Sequence, residues 1–166
     1  MKGLSQKETQ IIAELEFSRK YYFTREDIAH HFEKDSSMRH TIHKLIQKER
    51  IISLNKNKYY LVPIKAKTGK WADEAFIIAD EVMNGKEYYI GGWAAANYWR
   101  LTDQIPVKIE VYSLKRFGKT TFLNTPFIFR KTSEKKLKQT VTKRITGHIF
   151  KILNKEETKK WISKRT

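Results

Sequence analysis

Asp35-Ser36-Ser37-Met38-Arg39-His40-Thr41-Ile42-His43-Lys44-Leu45-Ile46-Gln47-Lys48-Glu49-Arg50 is the stretch on which the fold turns. Met38, Ile42, Leu45 and Ile46 recur at helical spacing, which predicts one helix with those four side chains buried. At about 100° per residue, the opposite side carries Ser36, His40, Lys44 and Gln47. Ser37 and His43 lie just off its centre, and Arg39 sits on the flank. Asp35 or Ser36 is expected to cap the helix, because a short side-chain oxygen can accept a free backbone N–H there. Small residues in the first turn let a helix approach another surface closely, and the basic residues after them can meet an anion. A DNA recognition helix has this make-up. So do many ordinary surface helices, and the neighbouring sequence has to decide.

Upstream, residues 5–16 predict a first helix. Ser5 and Glu8 stand at capping-box spacing, and Ile11, Ile12 and Leu15 give it a buried side. Residues 17–23 connect, with Tyr22 and Phe23 suited to a short strand. Thr24 then opens a second helix with Glu26 and Asp27 in its first turn, where the helix dipole favours negative charge. Ile28, Ala29 and Phe32 are expected to face inward. Downstream, two β-branched or aromatic runs, 51–54 and 59–63, flank Asn55-Lys56-Asn57-Lys58. Asn tolerates turn geometry, so a hairpin is predicted. Three helices followed by a hairpin make the winged variant of helix-turn-helix. Lys56 and Lys58 at the hairpin tip are placed to touch phosphate beside a groove.

Charge follows the same division. The net charge is +16. Residues 1–70 hold 15 Lys/Arg against 8 Asp/Glu, residues 71–130 hold 7 against 7, and residues 131–166 hold 12 against 3. The two ends are basic and the middle is neutral, so a polyanion is the expected partner of the ends. There is no cysteine, which removes disulfides, thiolate zinc sites and cysteine nucleophiles. No apolar run approaches the ~20 residues of a membrane span, and the first ten residues lack a signal-peptide core. A soluble cytoplasmic protein without membrane contact is expected.

The fold class expected is α+β, an N-terminal winged helix-turn-helix (1–64), a basic linker (65–70) and a small mixed α/β domain with a basic tail (71–166). Within the last, the sequence predicts a helix over 71–84 closed by Gly85 and a short strand at Tyr88-Tyr89-Ile90 ended by Gly91-Gly92. An alanine-dense helix over 93–99 and a strand over 105–114, alternating at Val107, Ile109 and Val111, come next. A turn at 117–120 and an edge strand over 122–129 containing Pro126 follow. A strand over 147–153 and a last helix over 155–164 close the chain.

Enzyme chemistry finds no support. His30 and His31 adjoin the second helix, and His40 and His43 lie three apart on the third, but no carboxylate or thiolate in the sequence pattern completes a zinc set. His148 reads as an ordinary strand residue. Gly118-Lys119-Thr120 resembles the tail of a phosphate-binding loop, but Ser113 stands where that motif needs glycine. The adjacent pairs Asp73–Glu74 and Asp80–Glu81 read as solvated helix charges. No catalytic residue, metal or cofactor is expected.

The most specific words are Tyr88-Tyr89-Ile90-Gly91-Gly92-Trp93-Ala94-Ala95 and Leu101-Thr102-Asp103-Gln104-Ile105-Pro106. As a set they resemble the AbiEi family of antitoxins from type IV toxin–antitoxin and abortive-infection systems. In that family a Tyr-Tyr-hydrophobic-Gly strand leads into a Trp-containing, alanine-rich helix, then a Leu-Thr-(Asp/Glu)-Gln-hydrophobic-Pro turn and a strand. Phe76-Ile77-Ile78-Ala79 looks like the family's preceding helix, and the strand from Val107 to Tyr112 with Lys115-Arg116 fits as well. Family members usually continue with further helices past a segment like residues 150–158, whereas Lys159-Lys160-Trp161-Ile162 follows here. The resemblance implies a transcriptional repressor of its own operon that binds inverted repeats, with a second domain that counters a nucleotidyltransferase-like toxin.

For the DNA-binding role the candidate residues are Ser36, Ser37, Arg39, His40, His43 and Lys44 on the third helix, and Lys56 and Lys58 on the hairpin. Arg39 is the best candidate for a guanine edge, since its fork matches two acceptors. One such domain makes few base contacts, so two copies on double-stranded inverted-repeat DNA are expected, as a homodimer or joined on DNA. The alternatives are a protein-interaction module built on the neutral, Trp-bearing middle and an RNA-binding protein using the basic tail.

Overall fold

The computed structural model describes residues 3–63 and 75–165. The chain divides into two compact units, Met1–Trp71 and Ala72–Thr166. Together they form an α+β protein with seven α-helices and two sheets among the described residues. The predicted linker at 65–70 and the predicted helix start at 71–74 lie outside the described residues.

Unit 1 begins with α1 (Gln6–Phe17). Its capping box is formed: the Ser5 N–H donates to Glu8 Oε2 at 2.6 Å, and the Glu8 N–H donates to Ser5 Oγ at 3.3 Å. After β1 (Tyr22–Thr24) comes α2 (Arg25–Ile28), where the Thr24 N–H donates to Asp27 Oδ2 at 2.7 Å. A 3-10 turn (Ala29–His31) leads to α3 (Asp35–Gln47). The hairpin is β2 (Ile51–Ser53) and β3 (Lys58–Leu61), with Asn55 Oδ1 accepting the N–H groups of Asn57 and Lys58, both at 3.0 Å. β1 joins the far side of β3, giving an antiparallel sheet of order β1-β3-β2 with Phe23 opposite Tyr59. One apolar core takes side chains from α1, α2, α3 and all three strands, including Ile11, Phe23, Ile28, Ile42, Leu45 and Leu61.

Four local expectations change in unit 1. The helix over 35–50 ends at Gln47, because Glu49 turns left-handed at φ 56°. Lys34 stands at the N-cap and no side chain caps α3; Asp35 is already inside the helix and its carboxylate holds Arg39 instead. Ile46 is exposed at the edge of the stripe rather than buried. Ala29 is exposed as well, since the chain tightens into the 3-10 turn there and the α-helical period is lost.

Unit 2 is a six-stranded mixed sheet of order β6-β7-β5-β4-β9-β8. Its strands are β4 (Tyr88–Gly91), β5 (Ile109–Ser113), β6 (Gly118–Phe122), β7 (Thr125–Lys131), β8 (Thr140–Ile145) and β9 (His148–Leu153). β4 runs parallel to β9, and β5 to β7; the other pairs are antiparallel. Four helices accompany it: α4 (Ala75–Met83), α5 (Gly92–Tyr98), α6 (Glu134–Leu137) and α7 (Lys155–Ser163). α4 packs on β4 and β9, while α5 packs on β4, β5 and α7. Asn154 caps α7, its Oδ1 accepting the Glu157 N–H at 2.8 Å.

Here too the structure corrects the sequence. The strand expected over 105–114 is only β5; Ile105 and Val107 precede it and are 81% and 85% exposed. Of the turn expected at 117–120, residues 118–120 lie in strand β6; the chain reverses just before it, between β5 and Gly118, and again after it at Leu123 and Asn124, both left-handed at φ 49° and 69°. β7 is not an edge strand, because β6 and β5 flank it. Pro126 is tolerated because pairing with β5 starts only at Phe127. Asp80 is no solvated helix charge: it accepts the Tyr88 hydroxyl at 2.6 Å, and that hydroxyl accepts the Lys151 N–H at 3.0 Å. Burial pushes the Tyr88 phenol well above its ordinary pKa, and the Asp80 carboxylate pushes it further. Among the described residues, no helix is long and apolar enough to cross a membrane.

Candidate nucleic-acid interface

α3 is buried along one line and open on the rest. Met38, Ile42 and Leu45 enter the core of unit 1, and Ser36, Ser37, Arg39, His40, His43 and Lys44 are all exposed. The helix therefore brings six of the eight candidate side chains to one continuous exposed surface. Lys56 is exposed at the hairpin turn, and Lys58 is half-buried at the start of β3.

Several of these groups have partners on the helix itself. The Arg39 guanidinium pairs with Asp35 one turn earlier, and both side chains are exposed. A surface pair of this spacing is worth only about 0.3–0.5 kcal/mol, so a stronger acceptor can take Arg39 away. Gln47 Nε2 lies 3.0 Å from His43 Nε2. The Thr41 hydroxyl donates to the Ser37 carbonyl at 3.0 Å, which leaves the Ser37 hydroxyl outside that bond.

The far end of α3 is anchored by a buried ion pair. Lys48, at its C-cap, places Nζ 2.7 Å from Glu8 Oε2 and 2.9 Å from the Gly3 carbonyl. Glu8 is 2% exposed. Burial raises its pKa, but hydrogen bonds from Lys48 and Ser5 outweigh that effect and hold the carboxyl below its ordinary value. The same carboxylate that caps α1 thus ties the end of α3 to the start of α1.

The structure adds two groups that sequence spacing did not bring forward. Lys34 and Lys7 border a cavity of about 640 Å³ together with Ser37 and Phe32, next to the start of α3. Lys7 Nζ lies 4.5 Å above the Phe32 ring. The position of Lys34 directly before the helix was the available signal. Glu14, on α1, faces both His30 and His31, with Nε2-to-oxygen distances of 2.9 Å and 2.7 Å. This supplies the carboxylate that sequence spacing did not. Glu14, His30 and His31 offer three ligand atoms within 4.8 Å of one another, a set able to hold a divalent metal. The hydrogen bond from His30 chiefly lowers the Glu14 pKa, so the carboxylate is ionised in either role.

His40 and His43 take no part in that set. His148 opens β9 and is exposed. No protein-family model matches the chain, and no curated protein matches it in sequence.

Proposed function

We propose that the chain is a DNA-binding transcriptional repressor of its own operon and the antitoxin of a type IV toxin–antitoxin pair. In this reading unit 1 is a winged helix-turn-helix domain, α3 its recognition helix and the β2–β3 hairpin its wing. The observation that carries it is the exposed surface of α3. Ser36, Ser37, Arg39, His40, His43 and Lys44 stand in the open on a helix whose other side is locked into the core. Serines in the first turn allow close approach to base edges, and Arg39 and Lys44 supply the cations. Lys34 supports the same reading. A lysine at a helix N-terminus opposes the helix dipole, which is a cost unless an anion such as phosphate arrives there. Two copies on an inverted repeat would double the few base contacts that one α3 can make.

The antitoxin half rests on the resemblance of residues 76–116 to the AbiEi family. Ile105 and Val107 lend it physical support. They are large, apolar and nearly fully exposed beside a cavity lined by Trp93, Gln104 and Pro106, as expected of a surface that a protein partner covers. A nucleotidyltransferase-like toxin is the partner proposed.

A footprint of the chain on the DNA upstream of its own gene tests the repressor. Protection of an inverted repeat, weakening steeply with salt through counterion release, is the expected result. Equal protection of unrelated duplexes at every salt concentration overturns it. Co-purification with the product of the neighbouring gene tests the antitoxin, and its loss in Ile105→Asp/Val107→Asp assigns the surface.

A further inference from the structure

Unit 2 contains a cavity of about 440 Å³ that neither half of that function uses. Its volume lies within the ~300–1,000 Å³ of small-ligand sites. Three aromatic rings from three distant parts of the chain meet there. Tyr89 and Tyr112 stack with centroids 5.0 Å apart and planes 2° from parallel. Trp161 of α7 lines the same cavity. Burial raises the pKa of both tyrosines, so they stay neutral at physiological pH and offer ring surface rather than a reacting oxygen.

The backbone makes room for this arrangement. A Cβ on Gly91 would stand 2.7 Å from the Tyr112 ring and 3.2 Å from the Tyr89 ring. Only glycine lets the stacked pair lie this close to β4. Gly92, which also lines the cavity, has φ +62°, and its Cβ would collide with Glu110 Oε2 at 1.7 Å.

Around the rings the charge is one-sided. Lys131, Lys136, Lys160, Lys164 and Arg165 line the cavity against the single carboxylate of Glu157. Glu157 is held at 2.6 Å by Lys160 and at 2.9 Å by Lys136, and these two ammonium groups bring its pKa down to about 2. It remains an anion at any physiological pH, and the lining still carries four more cations than it neutralises. The Arg165 guanidinium lies 4.0 Å above the Trp161 ring, so cation and aromatic surface adjoin. Concentrated cations alone would suit any polyanion, and rings alone would suit any flat apolar ligand. Their combination suits a planar ring that carries phosphate.

We propose that this cavity binds a nucleotide, with the base against the aromatic lining and the phosphate among Lys131, Lys164 and Arg165. A free nucleoside triphosphate and an unpaired nucleotide of a single strand share that chemistry. The site is independent of the α3 surface, and its failure would leave the operator reading untouched.

Calorimetric titration of the full chain tests the site with ATP, UTP, inorganic tripolyphosphate and a short single-stranded oligonucleotide. Saturable binding of ATP or UTP assigns a free nucleotide; binding of the oligonucleotide alone assigns a single strand. Tripolyphosphate is expected to bind about tenfold more weakly than ATP, the order of effect one stacked base supplies. Lys131→Ala/Lys164→Ala removes two exposed charges and is expected to weaken nucleotide binding by about tenfold or more, with no change in melting temperature. The proposal is overturned if tripolyphosphate binds as tightly as ATP, if the double variant keeps full affinity, or if no nucleotide or strand binds.

Discussion

Unit 1 and unit 2 handle polar groups in opposite ways. Among the described residues of unit 1 the buried polar residue is Glu8, and the candidate binding groups stand outside an almost wholly apolar core. In unit 2, Glu110, Ser113 and Thr158 are all buried, and Tyr88, Asp80 and Lys151 form a hydrogen-bonded chain between α4, β4 and β9. The difference teaches where stability and binding can be separated. Substitutions at the exposed α3 positions 36, 37, 39, 40, 43 and 44 should alter what unit 1 touches without altering its fold, because these side chains stand outside the core. Substitutions near Glu110 or Tyr88 should cost stability first, since a buried polar group left without its partner carries its full desolvation penalty.

The most damaging single change expected is Gly92→Ala. It places a side chain on left-handed backbone and displaces the Glu110 carboxylate, which is 8% exposed and held by Arg130 at 2.9 Å. The strained backbone costs about 1–2 kcal/mol, and displacing the buried Glu110 carboxylate from its half-exposed Arg130 partner adds about 1–3 kcal/mol. Unit 2 should lose about 4 kcal/mol in denaturant unfolding. A loss below about 1 kcal/mol, the size of an ordinary surface substitution, would break the contrast between the units.

Next is Glu8→Ala, the exception inside unit 1. It strands Lys48, removes the capping box of α1 and loosens the end of α3. A loss of about 3 kcal/mol is expected, with Glu8→Gln milder because glutamine keeps the capping geometry. The pH dependence has a definite sign. The folded pKa of Glu8 lies below its ordinary value of 4.5, so its contribution is fully present above pH 4.5 and is lost as pH falls through the folded value. In Glu8→Gln the acid limb of the stability curve should flatten. An unchanged acid limb would mean that the pair contributes nothing.

How far the sequence foretold each unit follows from the range of the interactions involved. Unit 1 is built from short-range signals: Ser5 with Glu8, the stripe of Met38, Ile42 and Leu45, and the Asn55 turn. Each acts within a few residues, and each formed. What was hidden there was long-range or competitive. Glu14 meets His30 and His31 across sixteen positions, counted from Glu14 to His30, and Asp35 gives up the helix cap to hold Arg39. In unit 2 the turn at Leu123 and Asn124 needs two non-glycine residues at positive φ, which composition does not announce, while Gly118 imitated a turn and became strand. The cavity was invisible for the same reason. Tyr89, Tyr112 and Trp161 have no spacing relation, and only the β4–β5 register and the return of α7 bring them together. The α3 surface was legible as a list of residues, but the Arg39–Asp35 pair, which sets the starting state of the best base-reading candidate, was not.

Arg39→Ala carries a smaller expected effect than either core change, and on a different quantity. Operator affinity should fall by roughly 1–3 kcal/mol with relaxed preference at one base pair. Stability should stay within about 0.5 kcal/mol, because the lost ion pair is exposed. Competition binding with single-base operator variants, run beside a thermal melt, measures both. Unchanged affinity and preference would remove Arg39 from the groove.

Lys56→Ala should have the smallest effect and the most diagnostic form. Lys56 sits exposed on the hairpin turn, where a phosphate contact adds affinity without reading a base. Its loss should weaken operator and random duplex alike, and the slope of log affinity against log salt should become shallower by about 0.9. Arg39 and Lys56 are both exposed cations on the same unit, so overall charge cannot separate them. Their separate signatures can: if α3 lies in the groove and the hairpin beside it, the helix residue changes preference and the hairpin residue changes only the salt slope. If Lys56→Ala instead altered preference among operator variants while leaving the slope unchanged, the hairpin rather than α3 would be the element that reads sequence.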